Sequence, residues 1–257
     1  MANGGLLLIG RGLAKLARKP MGPLSGLGGS LFFLLVYNAG FGGIDFLPEF
    51  GGSGYFAFIF PLGIVSLAMG SAAGAGQALH TDMTTGYFRR LYLSPAPRVA
   101  FVAAPLIADG TATLLVSGGL LGVGAIFGLP FRFGALSVLG ILGISLLWGI
   151  TLSGLSAAIM LRTGSGQGAQ LVTTAVFPLI FLSTTFLPRE LISSRWLLMV
   201  SRFNPITYLL EGLRYLLAGG IGAADSPKAL LAAVAVAGVG AFLGLILALT
   251  GARKILV

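Results

Sequence analysis

The chain has no cysteine among its 257 residues, and its one histidine is His80. Disulfides, thiolate metal sites and cysteine nucleophiles are therefore excluded, and no group of imidazoles exists to hold a metal or relay protons. Charge is nearly as scarce. Only 9% of residues are Asp, Glu, Lys or Arg, while 56% are hydrophobic and the mean hydropathy is +0.98. A soluble domain carries roughly 25% charged residues; a chain this poor in charge cannot cover a water-facing surface and reads as an integral membrane protein. No GxxxxGK[ST] phosphate loop occurs, and no polar region is large enough for a nucleotide-binding domain, so the polypeptide does not hydrolyse ATP by itself. Paired carboxylates, a Ser/His/Asp set and a metal-ligand set are also missing, which leaves a membrane-embedded enzyme without support. The net charge of +9 would suit nucleic acid, but the basic residues fall in short segments between apolar runs. That distribution sets topology, and nucleic acid is not expected as a partner.

What is present is a series of apolar runs with polar punctuation. Residues 5–19, GLLLIGRGLAKLARK, put Leu6, Ile9, Leu13 and Leu16 on one side of a helix and Arg11, Lys15 and Arg18 on the other. This is an interfacial helix suited to an anionic membrane surface. Because its apolar residues precede its basic ones, the segment is expected to belong to the mature protein and not to a signal peptide. A first span is expected near Gly22–Gly42, followed by an acidic turn with Asp45 and Glu49. A second runs from about Ser53 to Leu79, with Gly70 and Gly74 at a spacing that lets helices pack closely. The third, about Val99–Phe127, and the fourth, about Ala135–Leu161, form a hairpin around Pro130 and Arg132. The fifth, about Ala169–Leu187, should be kinked at Pro178, either as a pathway lining or as plain packing. Residues 189–227 read as two short helices split by Phe203, Asn204 and Pro205, with Asn204 capping the second. They should dip into the membrane surface, where Glu211 and Arg214, three residues apart, can pair. A last span covers about Lys228–Thr250. The expected architecture is all-α, with six transmembrane helices in one domain over residues 1–257. Ten basic residues fall on the side of the two ends and six on the other, which places both termini in the cytoplasm.

Two features stand out as candidates for function. The first is the polar segment 80–98, HTDMTTGYFRRLYLSPAPR. Thr81 and Asp82 suit a helix N-cap, Tyr87 and Leu91 lie one turn apart, Arg89 and Arg90 add charge, and Pro95 and Pro97 end the helix. It reads either as a cytoplasmic docking helix or as an amphipathic loop on lipid headgroups. The second is Asp109, an acid about ten residues, or roughly 15 Å, into a predicted span. Proton or cation coupling, substrate contact and helix pairing are all open to it.

Three stretches in this six-span order carry a resemblance: TGYFRRLYLSPAPR from Thr85 to Arg98, Asp109 with Gly110 after Ala108, and FNPITYLLEGLRYLL from Phe203 to Leu217. The chain resembles the type-2 permease family of ABC exporters, in particular the small permease subunits of the daunorubicin-exporter type. The resemblance implies an N-terminal connecting helix, a coupling helix within residues 80–98 and re-entrant helices before the last span. Asp82, Gly86, Tyr87, Arg89, Arg90 and Leu91 would meet a groove on a separate ATPase subunit. Two such ATPases, carrying ATP and Mg, would serve two permeases, either two copies of this chain or this chain and a paralogue. This chain would carry no cofactor of its own. Cargo, whether drug, lipid, glycolipid or polysaccharide, would leave across the cytoplasmic membrane between the permeases. Asp109, Phe177, Pro178 and Thr184 would lie on its path, and Asn204, Pro205, Glu211 and Arg214 in a re-entrant gate. The rival readings are a proton-coupled secondary transporter working through Asp109 and a structural membrane assembly factor.

Overall fold

The computed structural model describes residues 21–44, 54–86, 98–217 and 224–256. Regular structure among these residues is helical throughout: α1 Met21–Phe41, α2 Gly54–Ala72, α3 Gly74–Thr84, α4 Arg98–Ile126, α5 Ala135–Thr163, α6 Gly166–Phe181, α7 Arg195–Phe203, α8 Pro205–Leu216 and α9 Pro227–Leu256. The interfacial helix expected over 5–19, the acidic turn at Asp45 and Glu49, and most of the docking helix lie outside the described residues.

The bundle is assembled round α5, which packs on α2, α3, α4, α6 and α9. Small residues make this possible. Gly154 approaches α9 so closely that a Cβ on it would lie 2.6 Å from the carbonyl carbon of Gly244. Thr151 Oγ1, three residues earlier, donates across the same seam to Ala237 O at 3.3 Å. Lipid gives helices no hydrophobic reason to associate, so close backbone packing and interhelical hydrogen bonds hold such a seam together. The outward faces are apolar instead, with Phe32 and Leu35 of α1, Leu115 of α4, and Leu231, Val239 and Phe242 of α9 all exposed.

Residues 54–84, 101–126, 135–163 and 227–252 are apolar and long enough to cross a bilayer, and α1 adds an apolar helix of 21 residues. Helix α6 corrects the expected fifth span. Its 16 residues rise about 24 Å, short of a hydrocarbon core of roughly 30 Å. It starts at Gly166 and stops at Phe181 because polar side chains take its final carbonyls. Ile180 O accepts from Ser183 Oγ at 2.6 Å and from Thr185 Oγ1 at 2.9 Å, and Leu179 O accepts from Asn204 Nδ2 at 2.6 Å. Those bonds replace the ones another helical turn would have made. Pro178 therefore lies in the last turn, and the expected mid-span kink becomes the run-out of a short helix.

The second span also departs from expectation. Its helix is interrupted at Ala73 and then continues to Thr84, so Thr81 and Asp82 sit in the last turn of α3 and do not cap a new helix. Thr81 Oγ1 donates back to Gln77 O at 2.8 Å, a bond inside the helix that leaves the hydroxyl unavailable as a cap for a following one. Gly86 ends the segment with φ +71°, in the left-handed region where glycine carries no steric penalty.

Candidate functional site

Arg214 is the largest fully buried side chain among the described residues, and the local sequence explains how it is held. Asn204 Oδ1 accepts from Ile206 N at 3.0 Å, and Pro205 occupies the first helical position, so α8 begins as its sequence predicts. Every residue of α8 from Ile206 is buried except Tyr208, which is half-buried. From its last turn, Arg214 sends Nε to Phe58 O of α2 at 2.9 Å and Nη2 to Thr185 O at 3.0 Å. Its guanidinium carbon lies 3.5 Å from the centre of the Phe58 ring. Phe58 stands three residues before Pro61, in a turn that the proline loosens. A planar guanidinium suits this work, since it donates in two directions and stacks at once.

The expected pairing of Glu211 with Arg214 is not the one formed. Glu211 Oε1 lies 2.7 Å from Nε of Arg189, and its Oε2 accepts from Arg189 Nη2 at 3.0 Å. Arg189 sits in a single 3-10 turn, Arg189–Leu191, ahead of α7, so the ion pair joins that turn to α8. Burial raises the Glu211 carboxyl above the usual carboxylate range, and the charges of Arg189 and Arg214 oppose the shift. Arg189, Glu211 and Arg214 line a narrow cleft with Thr184 and Phe58 that admits little more than a water-sized group. Thr184, expected on a substrate path, is only 1% exposed there, and its hydroxyl makes no hydrogen bond.

Asp109 lies elsewhere, on α4 beside the interruption at Ala73. Its Oδ2 accepts from Ser153 Oγ of α5 at 3.3 Å, and its carboxylate packs against the bare Cα of Gly74. Phe177 and Pro178 occupy a third place, the exposed face of α6. That face runs from Gln167, Gln170 and Thr174 at one end to Phe177 and Phe181 at the other. The Phe177 and Phe181 rings meet edge to face at 5.2 Å, and the row continues through Phe186 to Tyr37 of α1 at 5.6 and 4.9 Å.

At the opposite end from Arg214, Gln77 Nε2 of α3 donates to Gly166 O at 2.8 Å, tying the approach to the docking segment to the start of α6. Asp82 and Gly86 are described there, while Tyr87, Arg89, Arg90 and Leu91 lie outside the described residues. The structure thus separates the expected path residues into three places: the α6 face, the α2–α3 interruption and the buried cleft. No group of three or more His, Asp or Glu side chains gathers among the described residues. Sequence reasoning missed Phe58 and Thr185 because they serve through backbone carbonyls, which no residue type signals. Pro61 within an apolar run was the available hint.

A family model described as ABC-2 type transporter matches residues 5–218. The chain is 28% identical over 217 residues to the putative transport permease ycf38 of Cyanophora paradoxa, covering 82% of this chain and 72% of that one. It is 23% identical over 218 residues to the probable doxorubicin resistance ABC transporter permease protein DrrC of Mycobacterium tuberculosis, covering 84% and 77%. A further relative, the daunorubicin resistance ABC transporter permease protein DrrB1 of Streptomyces coeruleorubidus, is 28% identical over 200 residues, covering 75% and 67%.

Proposed function

We propose an outward direction of transport and an amphipathic, ring-bearing cargo for this chain, which belongs to the ABC-2 type transporter family and is a multi-pass ABC transporter permease. Permeases of this kind are not themselves the ATPase, and the family implies partner ATPase subunits. In the proposed working unit two permeases, this chain twice or with a paralogue, sit on two ATPases that hold ATP and Mg. Residues 80–98 dock into the ATPases on the cytoplasmic side, with Asp82, Gly86, Tyr87, Arg89, Arg90 and Leu91 at the contact. Residues 189–227 lie at the outer face of the cytoplasmic membrane, where Trp196, Met199 and Phe203 of α7 are exposed and Arg195 and Arg202 can meet lipid phosphates.

One observation carries the cargo reading, the exposed face of α6. The face passes from Gln167 and Gln170 at the docking end, through Thr174, to Phe177 and Phe181, a polar-to-aromatic gradient that a helix turned only to lipid does not require. A face that passes from amides and a hydroxyl to an aromatic row suits a ligand with a polar group and flat rings, which stack on Phe177 and Phe181. The two relatives named for doxorubicin and daunorubicin resistance agree with such a cargo.

The test is reconstitution of the chain with its ATPase in vesicles and a fluorescent planar amphipathic dye. ATP should drive the dye away from the ATPase side. Phe177→Ala with Phe181→Ala should raise the KM for the dye several-fold, at about 0.5–1.5 kcal/mol per aromatic contact, without changing vesicle insertion. Tyr87→Asp with Leu91→Asp should abolish ATPase binding. Dye movement that follows a pH gradient without nucleotide, or an unchanged KM in the phenylalanine variant, would sink the reading.

A further inference from the structure

Resting on that reading, we propose that Asp109 is a positioning residue at a joint between α2 and α3, and that this joint sets the angle of the helix leading to the ATPase. The joint is visible first in the backbone. The apolar run from Gly54 to Thr84 is locally flattened at Ala73, where the torsions are φ −78° and ψ −12°, while Ala73 O still accepts from Gln77 N at 2.9 Å. No proline lies there. The local sequence is Gly70-Ser71-Ala72-Ala73-Gly74-Ala75-Gly76, and three glycines in seven residues hold a helix weakly.

The packing shows the same boundary. The apolar core falls into two clusters, and α2 up to Ala72 belongs to the larger one, with Leu120, Trp148 and Leu152. Ala75 and Leu79 of α3 belong to the smaller, with Phe101, Val102, Leu106, Met160 and Leu161. Between the clusters lies a thin layer of small and polar groups: Gly74, Asp109, Thr113, Gly149, Ser153 and Ser156. Ser153 Oγ reaches Asp109, Thr113 packs on Gly149, where a Cβ would lie 2.9 Å from its Oγ1, and Ser156 Oγ donates to Ala169 O at 3.1 Å. The layer is closely packed, since a Cβ at Gly76 would likewise lie 2.5 Å from Ser156 Oγ, but its contacts are between short groups that have few rotamers to rearrange when one helix tilts on another. The layer is therefore the plane on which the α3 end can turn against the rest.

Asp109 fixes the resting position on that plane. A Cβ at Gly74 would lie 2.6 and 2.8 Å from its two carboxylate oxygens, so the carboxylate rests on the first residue of α3 with no space to spare. The Ser153 hydroxyl offsets part of the cost of an acid at this depth. Force applied to the docking segment reaches α3 first, and Asp109 decides how α3 passes it to α2.

The fit is tight enough to distinguish a joint from a proton carrier. Asp109→Asn keeps the shape and should retain most transport per ATP. Asp109→Glu adds a methylene against Gly74 and should cut it about tenfold, the scale of an overpacked buried site. A proton carrier predicts the reverse order. Gly74→Ala should fail as Asp109→Glu does, and Asp109→Ala should partly restore it, a non-additivity that marks direct contact. Because the chain has no native cysteine, spin labels at Thr84→Cys and Ile126→Cys report the joint without any ATPase. Asp109→Ala should shift or broaden that distance distribution, and Asp109→Asn should leave it near wild type. Glutamate working where asparagine fails, or an unchanged distribution in Asp109→Ala, would overturn the proposal. Failure of wild-type protein to bind an ATPase would overturn the transport reading and leave the distance measurement to decide the joint.

Discussion

Arg214 and Asp109 are both ionisable side chains set among apolar helices, and they are held in contrasting ways. Arg214 ties three segments together through a rigid fork: α8, which carries it, the Phe58 carbonyl of α2, and the Thr185 carbonyl beyond α6. Asp109 rests on a glycine and takes a serine hydroxyl, in a layer built from small groups in close contact. Desolvation penalises both charges. At the Arg214 end it is offset by several directional bonds to carbonyls of other segments, and at the Asp109 layer in part by one serine hydroxyl and a close fit against a glycine. A permease that couples a distant ATPase to a pathway needs both, a fixed body and one plane on which it turns.

The contrast fails if Arg214 is replaceable. Arg214→Leu removes both donors and the stacking on Phe58, and leaves the Glu211 carboxylate with less positive charge near it. The expected loss is the largest of any single change, on the order of 3 kcal/mol or more. It should appear as a sharp fall in monodisperse yield and in the unfolding midpoint in detergent. Arg214→Lys keeps the charge but not the fork, and should fall between. Near-wild-type behaviour of the leucine variant would mean that the Arg214 end is not the fixed one.

Asn204 tests the same end with a smaller effect. Its Oδ1 caps α8 and its Nδ2 terminates α6, so one side chain holds two helix ends. Asn204→Ala should cost about 2 kcal/mol, roughly 1 for the cap and 1 for the buried hydrogen bond. Asn204→Asp should recover the cap and not the bond to Leu179 O, and so separate the two parts by unfolding midpoint.

Asn204 also marks how far the sequence was legible. An asparagine before a proline is a local signal, and the start of α8 was readable from it. So were α4 and α5, whose bounds follow from the length of apolar runs and the Gly/Pro punctuation between them. The end of α6 was only partly readable, because the nearby Ser183 and Thr185 share the task with Asn204, a side chain more than twenty residues away. The joint at Ala73 was hidden for another reason: its determinants are two core clusters and a carboxylate on a different helix, and no proline announces it. Asp82 misled because aspartate is a common N-cap, yet an aspartate in the last turn of a helix looks the same in one dimension. For the candidate site, residue types pointed to Arg214, Glu211 and Asp109, while their partners depended on the fold.

The choice of partner for Glu211 gives the smallest and sharpest test. Local spacing favours Arg214, three residues on, whereas the structure gives Glu211 to Arg189, twenty-two residues back. A double-mutant cycle on Arg189→Ala and Glu211→Ala should show a coupling of about 1 kcal/mol, since Arg189 is partly exposed and its pairing is screened. That coupling should shrink as salt rises. The corresponding cycle with Arg214→Ala should be less sensitive to salt, because the hydrogen bonds of Arg214 go to carbonyls inside the core. If the salt-sensitive coupling belongs to Arg214 instead, the ion pair and the fixed fork are one device, and the Arg214 end has a charge switch of its own. If it belongs to Arg189, the turn at Arg189–Leu191 can part from α8 while Arg214 stays in place, and any opening at this end runs through the weaker pair.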